Sequence, residues 1–213
     1  MKLITELYST QVTRWPKTGR HILAQYDDSK IVVYQAYRPE IGRFAAMNGY
    51  FGGEFKLTRM SWIKPNFLWM MYRSLWGSKV NQEVILAVSI KKDAFEEILA
   101  EAVHSKYVSE IYSTKKDWQK AVKNSQVRLQ WDLDRTPGGG PKQRRAIQLG
   151  LRSEFLRKYA RDWILDIEDI SDFVREQYQL VKAGSSEQLI TPKEQVYSIA
   201  DLNVAKKLAL SIE

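Results

Sequence analysis

The chain has 213 residues, no cysteine, a formal net charge of +8 and a hydrophobic fraction of 44%. This length and apolar content fit one globular domain and exclude a disordered chain. The lack of cysteine excludes disulfides, thiolate nucleophiles, zinc knuckles and iron–sulfur clusters, and no apolar run approaches the roughly 18 residues that a membrane span needs.

The residues from Met1 to Glu6 carry no apolar stretch of the kind found in a secretory signal, so a cytoplasmic protein with no membrane partner is expected. The first 19 residues read as an irregular arm ending at Pro16-Lys-Thr-Gly19. Residues 20–183 read as a single α+β domain, followed by a C-terminal loop and helix over 184–213. Within the domain, Ile31 to Tyr37 is β-branched and aromatic and predicts a strand. Pro39 opens a helix to Asn48, and Asn48-Gly49 ends it. Pro65 is expected to start a second helix running to about Leu75 and stopping at Gly77.

Gln82 to Ile90 reads as a buried strand, and about Asp93 to Val103 as a helix. A further helix over about Lys115 to Asn124 carries Trp118. Gln126 to Asp132 alternates and predicts a strand, Thr136 to Pro141 a flexible loop, and Arg145 to Leu151 a second strand. Ser153 is expected to cap a helix whose Phe155, Leu156, Tyr159 and Trp163 share one face. Ile164 to Ile167 suits a short strand, Asp172 to Ala183 a helix stopped by Gly184, and the residues from about Ile199 a closing helix. No regular βαβ repeat is visible, so the expected architecture is a mixed or mainly antiparallel sheet packed with helices.

Charge is spread unevenly. Residues 162–213 hold five Lys/Arg against ten Asp/Glu, which leaves residues 1–161 at +13. A basic body of this kind points to an anionic partner: a nucleotide, RNA or DNA. Lysines spread over an ordinary surface are the competing explanation.

Three constellations could carry chemistry. The first is Met60-Ser-Trp-Ile-Lys-Pro-Asn-Phe-Leu-Trp-Met-Met-Tyr-Arg-Ser-Leu-Trp76. In a helix after Pro65, Trp69, Arg73 and Trp76 would share a face, with Arg73 stacked between indoles and Trp62 on the approach. Lys64, Tyr72 and Ser74 add polar groups to a wall suited to a base or nicotinamide ring and a phosphate. Core packing is the competing reading for each Trp. The second is Tyr34, Gln35 and Tyr37, which could hydrogen-bond an amide or a base edge. An amphipathic strand with aromatic pairs is the alternative.

The third joins Arg128, Gln130 and Asp132, on one face of a strand, to Arg145 and Gln148 on opposite faces of the next. Residues 128–161 hold nine Lys/Arg against three acids, which suits phosphate oxygens. The glycine-rich loop between these strands lacks the Gly-Lys-Ser/Thr of a phosphate-binding loop. Glu83 stands just before an apolar strand, where it could serve as a base or hold a ribose hydroxyl; a salt bridge is its other reading. The two histidines, His21 and His104, are too few for a multi-histidine metal site, and no metal is expected.

These pieces carry a resemblance. Arg20-x-Ile-x-Ala-x-Tyr-Asp-Asp28, Val32-Val-Tyr-Gln-Ala-Tyr37, the Met60–Trp76 block, Gln82-Glu83, Val127-Arg-x-Gln-Trp-Asp132 and Ile147-Gln-x-Gly150 resemble the domain-of-unknown-function family numbered 4291 over about residues 19–183. A more distant similarity is to the ADP-ribosyltransferase fold: a strand with Val33-Tyr34, a helix, a Gly49-x-Phe51 turn and later strands come in the same order. That fold's Ser-Thr-Ser and Gln-x-Glu steps are not matched. A PUA-like RNA-binding barrel is a second distant similarity, on Tyr72-Arg-Ser74 and the Val/Ile-rich strand after it.

The resulting expectation is an ADP-ribosyltransferase-like α+β domain, a transferase using NAD or another nucleotide and acting on nucleic acid. Arg20, Tyr34, Lys64, Tyr72 and Arg73 would hold phosphates and a ring, and Glu83, Asp132 or Tyr72 would carry the chemistry. A non-catalytic binder of RNA or a modified base, and a structural or partner-binding domain, are the alternatives.

Overall fold

A computed structural model describes residues 3–211. In chain order the elements are β1 (Thr5–Leu7), α1 (Tyr8–Gln11), β2 (Leu23–Ala24), β3 (Lys30–Tyr37), α2 (Pro39–Asn48), β4 (Ser61–Ile63), α3 (Phe67–Ser74), β5 (Val84–Lys91), α4 (Lys92–Glu101) and β6 (Ala102–His104). They continue with α5 (Lys115–Asn124), β7 (Val127–Arg135), β8 (Pro141–Leu151), α6 (Ser153–Arg161), β9 (Ile164–Asp169), α7 (Ser171–Ala183), β10 (Ile190–Pro192), β11 (Gln195–Val196) and α8 (Leu202–Lys207).

Two sheets organise the molecule. One is three-stranded, in the order β3-β5-β9, and antiparallel throughout. Its apolar runs are continuous because both faces are covered. Ile31, Val33, Leu86 and Val88 face a core that includes Phe95 of α4, Leu129 of β7 and Leu149 of β8. Val32, Tyr34, Ile85 and Ala87 face a second core with Phe67 and Met71 of α3 and Val174 of α7. The other sheet runs β4-β8-β7-β6 and is mixed, since β6 joins β7 in parallel. The two sheets meet where Tyr34 and Lys64 exchange backbone hydrogen bonds of 2.7 and 3.2 Å.

Period-two alternation gives the second sheet two unlike faces. Val127, Leu129, Ile147, Leu149 and Leu151 enter the core. Arg128 lies opposite Gly150, Gln130 opposite Gln148, and Asp132 opposite Ala146 on the other face. The single-domain α+β fold expected from the sequence is therefore the one observed, with small, mostly antiparallel sheets.

Several local expectations are corrected. The arm is not irregular: it holds β1, which pairs with β10, and α1, and just beyond it β2 pairs with β11. The C-terminal segment thus supplies strands as well as α8, and its Tyr197 and Leu208 are buried in the main core. The flexible loop at 136–141 is a hairpin turn, closed by a 2.8 Å bond from the Thr136 N–H to the Gly140 carbonyl, and β8 begins already at Pro141. Helix α4 stops at Glu101 because Ala102 to His104 pairs with Val127 to Leu129. Ser153 does not cap α6. It opens the helix at a φ of 55°, and the Gln126 side-chain oxygen accepts the Glu154 N–H at 2.9 Å.

Candidate functional site

The site is built around α3, whose start is fixed by side chains. Pro65 does not begin it; Asn66 is the N-cap, and its side-chain oxygen accepts the Trp69 N–H at 2.8 Å. Glu194, from the C-terminal segment, accepts the Phe67 N–H at 2.6 Å and the Asn66 side-chain amide at 2.8 Å. Burial raises the Glu194 carboxyl well above the usual carboxylate range, against the hydrogen bond from Phe67. The helix ends at Ser74, and Leu75, Trp76 and Gly77 all turn left-handed, with φ of 51°, 55° and 75°.

Trp69 and Arg73, one helical turn apart, line a cavity of about 570 Å³. This is the size of a small-molecule site. Gln35 and Tyr37 enter it from the end of β3, Gln82 from the turn before β5, and Arg59, Met60, Ser61, Trp62 and Lys64 from the loop and strand before α3. Gln130, Asp132 and Gln148 form the floor on the polar face of β7 and β8. A further cavity of about 530 Å³ adjoins it and shares Tyr37, Arg59, Met60, Ser61 and Gln82.

The lining is held in place by hydrogen bonds. The buried Gln35 amide donates to the Tyr37 hydroxyl at 2.8 Å, to Ser61 Oγ at 2.9 Å and to the Trp62 carbonyl at 3.2 Å. Its oxygen accepts from Tyr159 at 2.7 Å. Burial pushes both tyrosine hydroxyls above their ordinary range, so they act as neutral hydrogen-bonding groups. On the floor, Gln130 and Gln148 each donate a 2.9 Å hydrogen bond to one oxygen of Asp132. Both oxygens are thereby aimed by neighbours on the same face.

Three cations border the space. Arg59 and Arg73 are exposed and have no ion-pair partner among the described residues. Lys64 is only 6% exposed, and its amine makes no hydrogen bond or ion pair among the described residues. Burial lowers its pKa to about 7, with the Arg73 guanidinium adding to the shift and Asp132 opposing it. Against these cations stands one carboxylate of the lining, Asp132.

Trp62 lies flat against β8 because its partner there is Gly150. A side chain at that position would meet Met60 Sδ at 2.6 Å and the Trp62 ring at 3.0 Å. Trp62 is half-buried, whereas Trp69 is buried and its indole N–H has no hydrogen-bond partner among the described residues.

Of the residues singled out from the sequence, Gln35, Tyr37, Trp62, Lys64, Trp69, Arg73, Gln130, Asp132 and Gln148 converge on this one cavity. Others do not. Trp76 lies beyond the helix end, so it does not share a face with Trp69 and Arg73. Its ring stacks on Tyr178 at 5.7 Å and its N–H donates to the Pro137 carbonyl. The cation over the aromatic stack is Arg135, not Arg73. It sits 4.0 Å from the Tyr72 ring, which stacks on Trp69 at 5.4 Å, so Tyr72 is part of a packed stack.

Ser74 is buried and donates to the Met70 carbonyl at 2.9 Å, locking the end of α3. Tyr34 is fully buried on the opposite face of β3. The exposed Glu83 accepts the Asn81 N–H at 2.8 Å and stands outside the cavity lining. Arg20 contacts the C-terminal segment through the Ala209 carbonyl, and the exposed Arg145 bonds through its N–H to Gly19. Arg128 shares the strand face of Gln130 and Asp132 but lies beyond the cavity, near Arg152 and Tyr112.

The sequence reading missed Arg59, Ser61 and Gln82 as lining residues. Ser61 and Gln82 both stand inside quoted motifs, whereas Arg59 comes from a loop with no periodicity to flag it.

Among the described residues, no helix is long and apolar enough to cross a membrane. No group of three or more His, Cys, Asp or Glu side chains there could hold a metal ion. No curated protein is significantly similar to the chain. A family model described as a domain of unknown function, DUF4291, matches residues 21–197, which include every residue of the cavity; the chain belongs to that family.

Proposed function

We propose that the cavity binds a nucleotide and that the protein is a nucleotide-using transferase acting on nucleic acid. The supporting observation is the composition of one site: two exposed guanidiniums without ion-pair partners among the described residues, a half-buried indole and a carboxylate held by two amides, all facing the same space. Arg73 and Arg59 would take phosphate oxygens. The Trp62 face would take a base or nicotinamide ring. Gln82, Gln130 and Gln148 offer amides to a base edge or ribose hydroxyl, and Asp132 is placed to accept a proton from an attacking hydroxyl. NAD is one candidate nucleotide, which would make the chemistry ADP-ribosyltransferase-like. The +13 body suits a nucleic-acid acceptor, and a cysteine-free chain suits the reducing cytoplasm.

A thermal-shift screen with NAD, nucleoside triphosphates and short RNAs tests this reading. A bound nucleotide at a hundredfold excess over its Kd adds about 2.7 kcal/mol, a rise of roughly 5–10 °C for a chain of this size. The same nucleotide should leave Arg73→Ala unshifted. RNA binding that weakens steeply with salt, with no nucleotide effect, would favour a non-catalytic RNA or modified-base binder.

A further inference from the structure

The most unusual group in the cavity is Lys64. A lysine is rarely taken out of water without a carboxylate to pair with it. Here the side chain is more than nine-tenths buried, lines the cavity and has no hydrogen-bond or ion-pair partner among the described residues. The backbone fixes its position, because the Lys64 N–H and carbonyl both pair with Tyr34, and Asn66 caps α3 two residues on. The Arg73 guanidinium acts on it as a like charge and the Asp132 carboxylate as an opposite one. A phosphate-holding lysine would be better served by the exposure that Arg73 and Arg59 have. Lys64 has the surroundings of an amine kept free of its proton for use as a nucleophile.

We infer that Lys64 is the nucleophile of the transferase and carries the transferred nucleotidyl group as a covalent phosphoramidate. This rests on the nucleotide reading of the cavity. In the first step the Lys64 Nζ lone pair attacks the α-phosphorus of a nucleoside triphosphate, which enters as its magnesium complex. The N–P bond forms, the bond from the α-phosphorus to the bridging oxygen breaks, and pyrophosphate leaves with the electron pair. The proton shed by Nζ passes to Asp132. In the second step an acceptor hydroxyl or phosphate oxygen attacks the same phosphorus. The P–N bond breaks, and Nζ regains its electron pair and takes back the proton held by Asp132; where the acceptor is a hydroxyl, the freed Asp132 carboxylate takes the hydroxyl's proton and releases it to solvent. Arg73 and Arg59 offset the charge that builds on the phosphate oxygens.

The experiment incubates the full chain with each nucleoside triphosphate and magnesium chloride, and reads intact mass and the labelled peptide. Nucleotide affinity is measured in parallel by calorimetry. The expected result is a gain of one nucleoside monophosphate on Lys64, forming faster as pH rises through about 7, where the amine loses its proton. Lys64→Arg and Lys64→Met should each cut adduct formation by more than about a hundredfold, while both melt cooperatively. Lys64→Arg should still bind nucleotide. Tight nucleotide binding by the wild type with no adduct, or an adduct on another residue, overturns this inference and leaves the binding reading standing. No nucleotide binding at all overturns both. Trapping of Lys64 by borohydride with a phosphorylated aldehyde, without any nucleotidyl adduct, would make it an imine-forming lysine and also overturn the inference.

Discussion

Gln148 on β8 donates its side-chain amide to Asp132 on β7 at 2.9 Å, while Gln130, directly opposite Gln148, holds the other carboxylate oxygen. The candidate base is thus aimed by the strand pairing itself. Replacing Gln148 by Leu should leave the fold intact, cost about 1 kcal/mol in chemical denaturation, and slow nucleotidyl transfer more than it weakens nucleotide binding. An equal loss in binding and transfer would mean that Gln148 acts on the ligand rather than on Asp132.

The floor also depends on Gly150. Gly150→Ala places a methyl group against Met60 and the Trp62 ring, so it should cost about 1–3 kcal/mol by overpacking, with a shifted tryptophan emission and weaker nucleotide binding. Gly138→Ala in the hairpin turn is the control, since nothing lies within 4 Å of its added methyl, and it should be near neutral. Comparable melting temperatures for the two variants would contradict the close approach of Trp62 to β8.

Much of this site was legible because strand periodicity is strict. Gln35 and Tyr37 share a face two residues apart, as do Gln130 and Asp132, and both pairs reach the cavity. The Trp69–Arg73 spacing worked for the same reason within a helical turn. Trp76 failed because the helix gives way to left-handed turns at Leu75, a residue that carries no such signal, two residues before Gly77. β1, β6 and β10 were not legible because distant partners make them strands. Thr5 pairs with Pro192, and Ala102 with Val127. Arg59 reaches the cavity from a loop whose path depends on packing with no sequence period.

Lys64 should show itself in the pH dependence of stability. Its folded pKa of about 7 lies below the ordinary lysine value of 10.5, so the unfolded chain binds more protons between these two values. Stability therefore rises with pH through that window by the lysine's contribution and is penalised below it. Denaturant melts at pH 6 and pH 9 should show a rise in the wild type that is reduced in Lys64→Met. Arg73→Ala should move the Lys64 pKa upward, read by NMR of the labelled amine. An unchanged pKa would mean that burial alone sets it.

Glu194 ties the C-terminal segment to the first turn of α3. Glu194→Ala removes both acceptors, for Phe67 N–H and the Asn66 amide, and should cost about 1–3 kcal/mol. Removing residues 184–213 should prevent cooperative folding, because Leu189, Tyr197 and Leu208 leave their cores with it. A stable, cooperatively melting protein lacking those residues would contradict this role.

The central claim is that Arg73 and the Trp62 face hold one nucleotide in the cavity between α3 and the β7–β8 floor. A crystal structure with the nucleotide that gives the largest thermal shift tests it most directly. The account places a phosphate within hydrogen-bond reach of Arg73, the ring on Trp62 and the α-phosphate beside Lys64. A nucleotide bound elsewhere on the chain, with this cavity holding only solvent, would contradict it.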